Sequence, residues 1–213
     1  MFVRTTGGVY IYVLRSNYTS MTKDALTAFL KATGLVPLQT AEEIASHFKE
    51  SAIAKNDFFL REGRLSNEYL FLANGFMRAF AHDLESNEVT THFYTAGQVV
   101  FEVSSFFNRA ISRENIQALT ACEGWSITYN ELNTLFHTLP EFREFGRHIL
   151  VKGFSGLKTR MLSMITETAE ERYEGLLKSN PEIFVHAPLK YIASYLGITD
   201  TSLSRIRKEF SKK

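Results

Sequence analysis

Residues 187–210 read APLKYIASYLGITDTSLSRIRKEF, and this stretch decides how the chain is organised. Leu189, Ile192, Ala193 and Leu196 recur at helical spacing and give one apolar face. Gly197 follows as a turn residue, because a positive φ costs glycine little. Ile198 plugs the turn, and Thr199 is placed to cap the next helix. Leu203 and Ile206, three apart, face back on the first helix. Thr199, Asp200, Thr201, Ser202, Ser204, Arg205 and Lys208 are left outward or at the edge. A helix, a glycine turn and a second helix with small polar and basic residues on its free face predict a DNA-reading helix-turn-helix. Arg205 suits a guanine edge, which it can meet with two N–H groups, and Lys208 suits a phosphate. An ordinary helical hairpin with a solvated basic face is the rival reading. The joint spacing of Ala193, Gly197, Leu203 and Ile206 favours DNA.

The charge distribution points the same way. Residues 186–213 hold six basic side chains against Asp200 and Glu209, a net charge of +4, within a chain whose formal charge is only +1. A short basic module on a mildly acidic body suits a polyanionic partner for that module alone.

Upstream, Pro140 fits the first turn of a long helix. Leu139, Phe142, Gly146, Leu150, Gly153, Leu157, Met161 and Met164 step by three and four and predict a coiled-coil-like seam. Phe145, Ile149 and Phe154 form a second face. Residues 139–166 are therefore expected to dimerise the chain, with Gly146 and Gly153 letting two helices approach closely. Residues 169–178 form another helix, broken by Asn180-Pro181.

Between Ala52 and about Tyr129 the pattern is of strands. The runs FFLREG, EYLFLANG, FMRAFAHD, EVTTHFYTAG, QVVFEV, ENIQAL and GWSIT alternate with turn residues, and Asn74-Gly75 signals a hairpin. An antiparallel roll, sandwich or jelly roll is expected, so the fold class is α+β. Residues 22–33 and 40–49 are read as short helices, the second with a Thr40–Glu43 capping box. Residues 1–20 are an appendage or a mis-assigned start, with Met21 as the alternative first residue. The domains expected are thus a β-roll sensor over 21–138, a dimer helix over 139–166 and the DNA-binding module over 167–213.

The 213 residues, 45% of them apolar and 18 of them Phe, can build a sizeable core. The apolar run at residues 7–14 is too short to span a bilayer, and no membrane contact is expected. One cysteine, Cys122, excludes an internal disulfide and a four-cysteine cluster, and suits a reducing cytoplasm. His47, His82, His92, His137, His148 and His186 show no metal-ligand spacing, so neither metal nor cofactor is expected. A cupin-like enzyme would need a third ligand beside His82 and His92, and no nucleophile–base pairing or glycine-rich nucleotide loop is evident. The chain is not expected to be an enzyme. The reading kept open is a ligand-binding β-roll, cyclic-nucleotide-type or cupin-like, whose terminal helices contact protein.

The order of roll, long helix and helix-turn-helix over residues 40–213 resembles the Crp/Fnr family of cyclic-nucleotide-receptor-like regulators. PLKYIASYLGITDTSLSRIRK (188–208) is similar to the version common in Bacteroidetes, and ENIQALTACEGWSITYNEL (114–132) resembles the end of the family's roll. The resemblance implies a jelly roll of the cNMP-binding type, a homodimer, and double-stranded DNA as partner at twofold-symmetric sites. It further implies a small-molecule effector, and RNA polymerase as a partner for an activator. The family's phosphate cassette, anchored on Gly97, falls on Phe101-Glu102 and Ser112-Arg113-Glu114. Glutamate is kept at Glu102, but Phe101 replaces glycine, Ser112 stands where arginine belongs, and Glu114 adds a negative charge. The base-contacting pair of the long helix falls on Leu157-Lys158, which does not match. The cassette is degenerate, and ordinary cyclic-nucleotide binding is not expected. The family's wing after the recognition helix has no counterpart in the seven residues that follow Ile206.

Overall fold

The computed structural model describes residues 22–211. The reading of residues 1–20 and the last two lysines lie outside that range. Two helices, α1 (Asp24–Lys31) and α2 (Leu38–Ser46), precede eight strands: β1 (Lys49–Ile53), β2 (Phe58–Leu60), β3 (Glu68–Asn74), β4 (Met77–His82), β5 (Glu88–Tyr94), β6 (Gln98–Val100), β7 (Asn115–Ala118) and β8 (Cys122–Thr128). A short helix, α3 (Val103–Asn108), sits between β6 and β7. Then follow α4 (Tyr129–Thr138), α5 (Pro140–Thr166), α6 (Ala169–Ser179), α7 (Glu182–His186), α8 (Leu189–Leu196) and α9 (Asp200–Phe210).

The strands form two antiparallel four-stranded sheets, ordered β1-β8-β3-β6 and β2-β7-β4-β5. Alternation sorts their side chains. Leu70, Leu72, Val100 and Cys122 of the first sheet meet Leu60, Met77, Ala79, Ile116 and Ala118 of the second and fill the roll. On the other face of the first sheet, Tyr69, Phe71, Trp125 and Ile127 are covered by α1, α2, α4 and the start of α5. On the other face of the second sheet, Phe76 and Phe93, with Leu119 just after β7, join one core with residues of α6 to α9.

Several sequence expectations are corrected here. Asn74-Gly75 is not a hairpin: β3 pairs with β6 and β8, β4 with β5 and β7, so the chain crosses between sheets at Gly75. Its φ is +107°, and a Cβ there would meet Ala121 O, Cys122 Sγ and Cys122 Cα at 2.7–2.8 Å. The hairpin is β4–β5, whose turn Asp83 organises by accepting from Glu85 N and Asn87 N. Thr40 does not cap α2, which starts at Leu38 after Pro37. The segment read as helix to residue 49 ends at Ser46 and passes into β1, a strand the sequence reading omits. The capping boxes present are Thr128–Glu131 and Thr168–Glu171.

Candidate nucleic-acid interface and sensor pocket

In the terminal module Gly197 adopts the left-handed conformation, φ +67°, as the C-cap of α8. Thr199 caps α9 by accepting from Ser202 N at 3.2 Å. Leu203 and Ile206 are buried against Ile192, Ala193 and Leu196, as the spacing predicts. Asp200, Thr201, Ser204, Arg205 and Lys208 are exposed along α9, with Thr199 at its start. Ser202 departs from the outward set: it is half-buried, and its hydroxyl pairs with Thr199 Oγ1 at 3.0 Å. The free face therefore carries Asp200 and Thr201 at the N-terminal end and Arg205 and Lys208 further along.

Two arginines that sequence reasoning missed hold this module in place. Arg172 of α6 donates from Nε to Leu196 O at 3.1 Å and from Nη1 to Glu167 O at 2.6 Å. Arg160 of α5 donates to Tyr195 O at 3.1 Å and to Thr91 O at 2.7 Å, its guanidinium 4.0 Å above the Tyr195 ring. Tyr195 O and Leu196 O are last-turn carbonyls of α8 without helical partners, where a cation is favoured. Thr91 is the extra residue of a β-bulge: Ala79 pairs with His92 and Phe80 with Thr90. Arg160 is one of five cations along α5, with Arg143, Arg147, Lys152 and Lys158, and no periodicity sets it apart from them.

The eight seam residues of α5 do not share one environment. Phe142 is 2% exposed and stacks on Phe136 of α4 at 4.8 Å. Gly146 lies where a Cβ would meet the Phe136 ring at 2.5 Å. Leu139 packs on the same core. These three serve the roll, because the first turns of α5 close it, and Phe145 joins them with its ring 5.4 Å from Phe29. Beyond Ile149 the helix emerges. Leu150, Gly153, Leu157, Met161 and Met164 are exposed, Leu157 at 62%, together with Val151, Leu162 and Ile165. Phe154, assigned to the second face, is 69% exposed and adjoins this stripe. Met164 also touches the turn between α8 and α9, its methyl 2.5 Å from where a Cβ on Gly197 would sit.

The cassette positions are satisfied internally. Glu102 caps α3, its two oxygens accepting from Ser104 N at 3.1 Å and Ser105 N at 2.6 Å. Phe101 is buried among Tyr69, Phe106 and Phe107. The Ser112 hydroxyl donates to Glu114 O at 2.8 Å, and Arg113 is exposed. Gly97 is an exposed turn residue that donates to Leu72 O. Glu114 is half-buried, and burial pushes its carboxyl above the ordinary range. Burial, and then the charges of Glu114 and Glu102, raise the Tyr94 phenol. The cassette positions thus carry the carboxylates of Glu102 and Glu114, with Arg113 turned to solvent. Among the described residues no group of three or more His, Cys, Asp or Glu is placed to hold a metal, and no helix is long and apolar enough to cross a membrane.

Residues 50–138 match the cyclic nucleotide-binding domain family. No curated protein sequence matches the chain. Solved structures share its fold. FixK2 from Bradyrhizobium japonicum gives a TM-score of 0.67 at 16% identity, over 78% of this chain and 85% of that one. The c-di-GMP-responsive global regulator CLP from Xanthomonas campestris gives 0.65 at 18%, over 83% and 92%. A transcriptional regulator of the crp/fnr family from Eubacterium rectale gives 0.65 at 12%, over 86% and 87%. The architecture is that of these regulators: a cyclic-nucleotide-binding-type jelly roll followed by C-terminal helices.

Proposed function

We propose that the chain is a DNA-binding transcription regulator of the Crp/Fnr type, in the version common in Bacteroidetes, that acts as a homodimer in the cytoplasm. Residues 21–138 form its sensor, 139–166 its dimer helix and 167–213 its DNA-binding module. The observation that carries the reading is the face of α9. Asp200, Thr201, Ser204, Arg205 and Lys208 are exposed along it, while Leu203 and Ile206 fix the helix from behind. Its 11 residues span about 16 Å, enough to lie in a major groove. Arg205 contacts a base and Lys208 a phosphate.

The exposed stripe from Leu150 to Ile165 supports pairing with a second copy, and twofold symmetry then demands half-sites about 34 Å apart. The sensor takes an effector other than an ordinary cyclic nucleotide, or none. Selection of bound sequences from random double-stranded DNA tests the assignment: a palindromic site should emerge. Arg205→Ala should lose about 1–3 kcal/mol and relax one position per half-site, whereas Lys208→Ala should weaken all sequences alike and reduce the salt slope by about one. Selection of no sequence, or an Arg205→Ala protein that binds as tightly as wild type, refutes the reading.

A further inference from the structure

The helix-turn-helix is not free of the sensor. α8 uses Ile192, Ala193 and Leu196 for its own module and lays Tyr191, Ser194 and Tyr195 against the β4–β5 sheet. At the centre of that seam is Arg78 of β4, fully buried. Its guanidinium lies between the Phe80 ring at 4.0 Å and the Tyr191 ring at 3.4 Å. Nη2 donates to Glu88 Oε2 at 2.5 Å and to Gln117 Oε1 at 3.4 Å. Nε and Nη1 have no hydrogen-bond partner among the described residues, and neither has the buried Thr90 Oγ1 of β5. Thr90 N donates to Ser194 Oγ at 2.8 Å, which ties the strand to α8.

A buried cation with two unpaired edges is costly, and water would satisfy both edges if the seam opened. The aromatic contacts pull the other way. We propose that Arg78 sets how firmly the DNA-reading module docks: its aromatic stack orients α8, and through the shared core α9, on the sensor, while its incomplete pairing keeps the seam weaker than an apolar contact would and so releasable. The orientation of α9 then follows the balance between a docked seam and an opened one.

Two substitutions bias that balance in opposite senses. Arg78→Met keeps bulk and removes the buried charge, and Glu88, 40% exposed, stays solvated, so the seam tightens. Tyr191→Ala removes the ring that shields the guanidinium, so the seam opens. Tyr191→Phe keeps the ring and should behave as wild type. The functional arm rests on the DNA-binding reading; the structural arm does not. Amide exchange at Thr90 and its neighbours should slow in Arg78→Met and quicken in Tyr191→Ala, while β3 and β8 are unchanged. Affinity for the selected DNA site should move in opposite directions in the two variants, by about fivefold or more each. Should Arg78→Met fail to fold, Arg78→Lys, which loses the planar stack, should move both readouts in the Tyr191→Ala direction. Shifts of one sign in Arg78→Met and Tyr191→Ala, unaltered exchange at the seam, or a Tyr191→Phe protein like Tyr191→Ala would overturn the proposal. If the wild type selects no DNA, the function fails and exchange still decides the seam.

Discussion

Glu114 shows what a single side chain can report about the roll. Burial raises its folded-state pKa above the unfolded value, so its ionised form is a net cost. That cost is full above the raised pKa and vanishes below about pH 4, where both states are protonated. Glu114→Gln should therefore raise the melting temperature at pH 7, with the gain fading as the pH falls to about 4; a gain that persists at pH 3 contradicts the assignment. The neighbouring cassette makes a second prediction. Glu102 is spent on α3 and Arg113 faces solvent, so isothermal titration with cyclic AMP or cyclic GMP should show no micromolar binding. Micromolar heat that disappears in Arg113→Ala would establish a phosphate site at that arginine. The cassette's degeneracy was legible in the sequence because it depends on which residues stand at fixed spacing. The reading of Asn74-Gly75 as a hairpin failed for the opposite reason: the dipeptide signals a turn, but only the partners of β3 and β4 decide which sheet the chain enters next.

Among the elements, α5 was legible in its length and start and illegible in its division. The three–four spacing is uniform from Leu139 to Met164, yet the roll takes the first part and solvent the second. Periodicity names a face; it does not say what covers it. The division separates two substitutions. Phe142→Asp puts a charge into the core and should abolish folding. Leu157 is 62% exposed and belongs to no core cluster, so the circular dichroism and melting of Leu157→Asp should match a monomeric form of wild type. Sedimentation should nonetheless show the dimer lost at micromolar concentration. A wild type that already sediments as a monomer removes the role of the stripe. β1 escaped notice because KESAI is polar and lies at a sheet edge, paired only with β8, whereas the long apolar runs that announce strands belong to the interior. The stretch α8–Gly197–α9 was the most legible in its local structure, since its turn, cap and packing are all local.

At the scale of the whole molecule the two parts share a core. Phe76, Phe93 and Leu119 lie in one cluster with Tyr173, Ile192 and Leu196. Calorimetry should accordingly show one cooperative transition for the full chain. A fragment ending at residue 166 leaves that face of the second sheet bare and should melt lower or associate. Two resolved transitions, or a fragment as stable as the parent, would mean the parts fold separately. None of this was visible in the sequence, because residues 76–119 and 173–206 are far apart in the chain and each looks complete alone. One consequence concerns inheritance. Tyr191, Ser194 and Tyr195 belong to the terminal module but fit only a β4–β5 pair that offers Arg78, Thr90 and Phe93. A terminal module transplanted from a relative would arrive with a foreign underside, so terminal module and roll must change together, and chimaeras should succeed only when the three residues travel with the β4–β5 pair they were cut to fit.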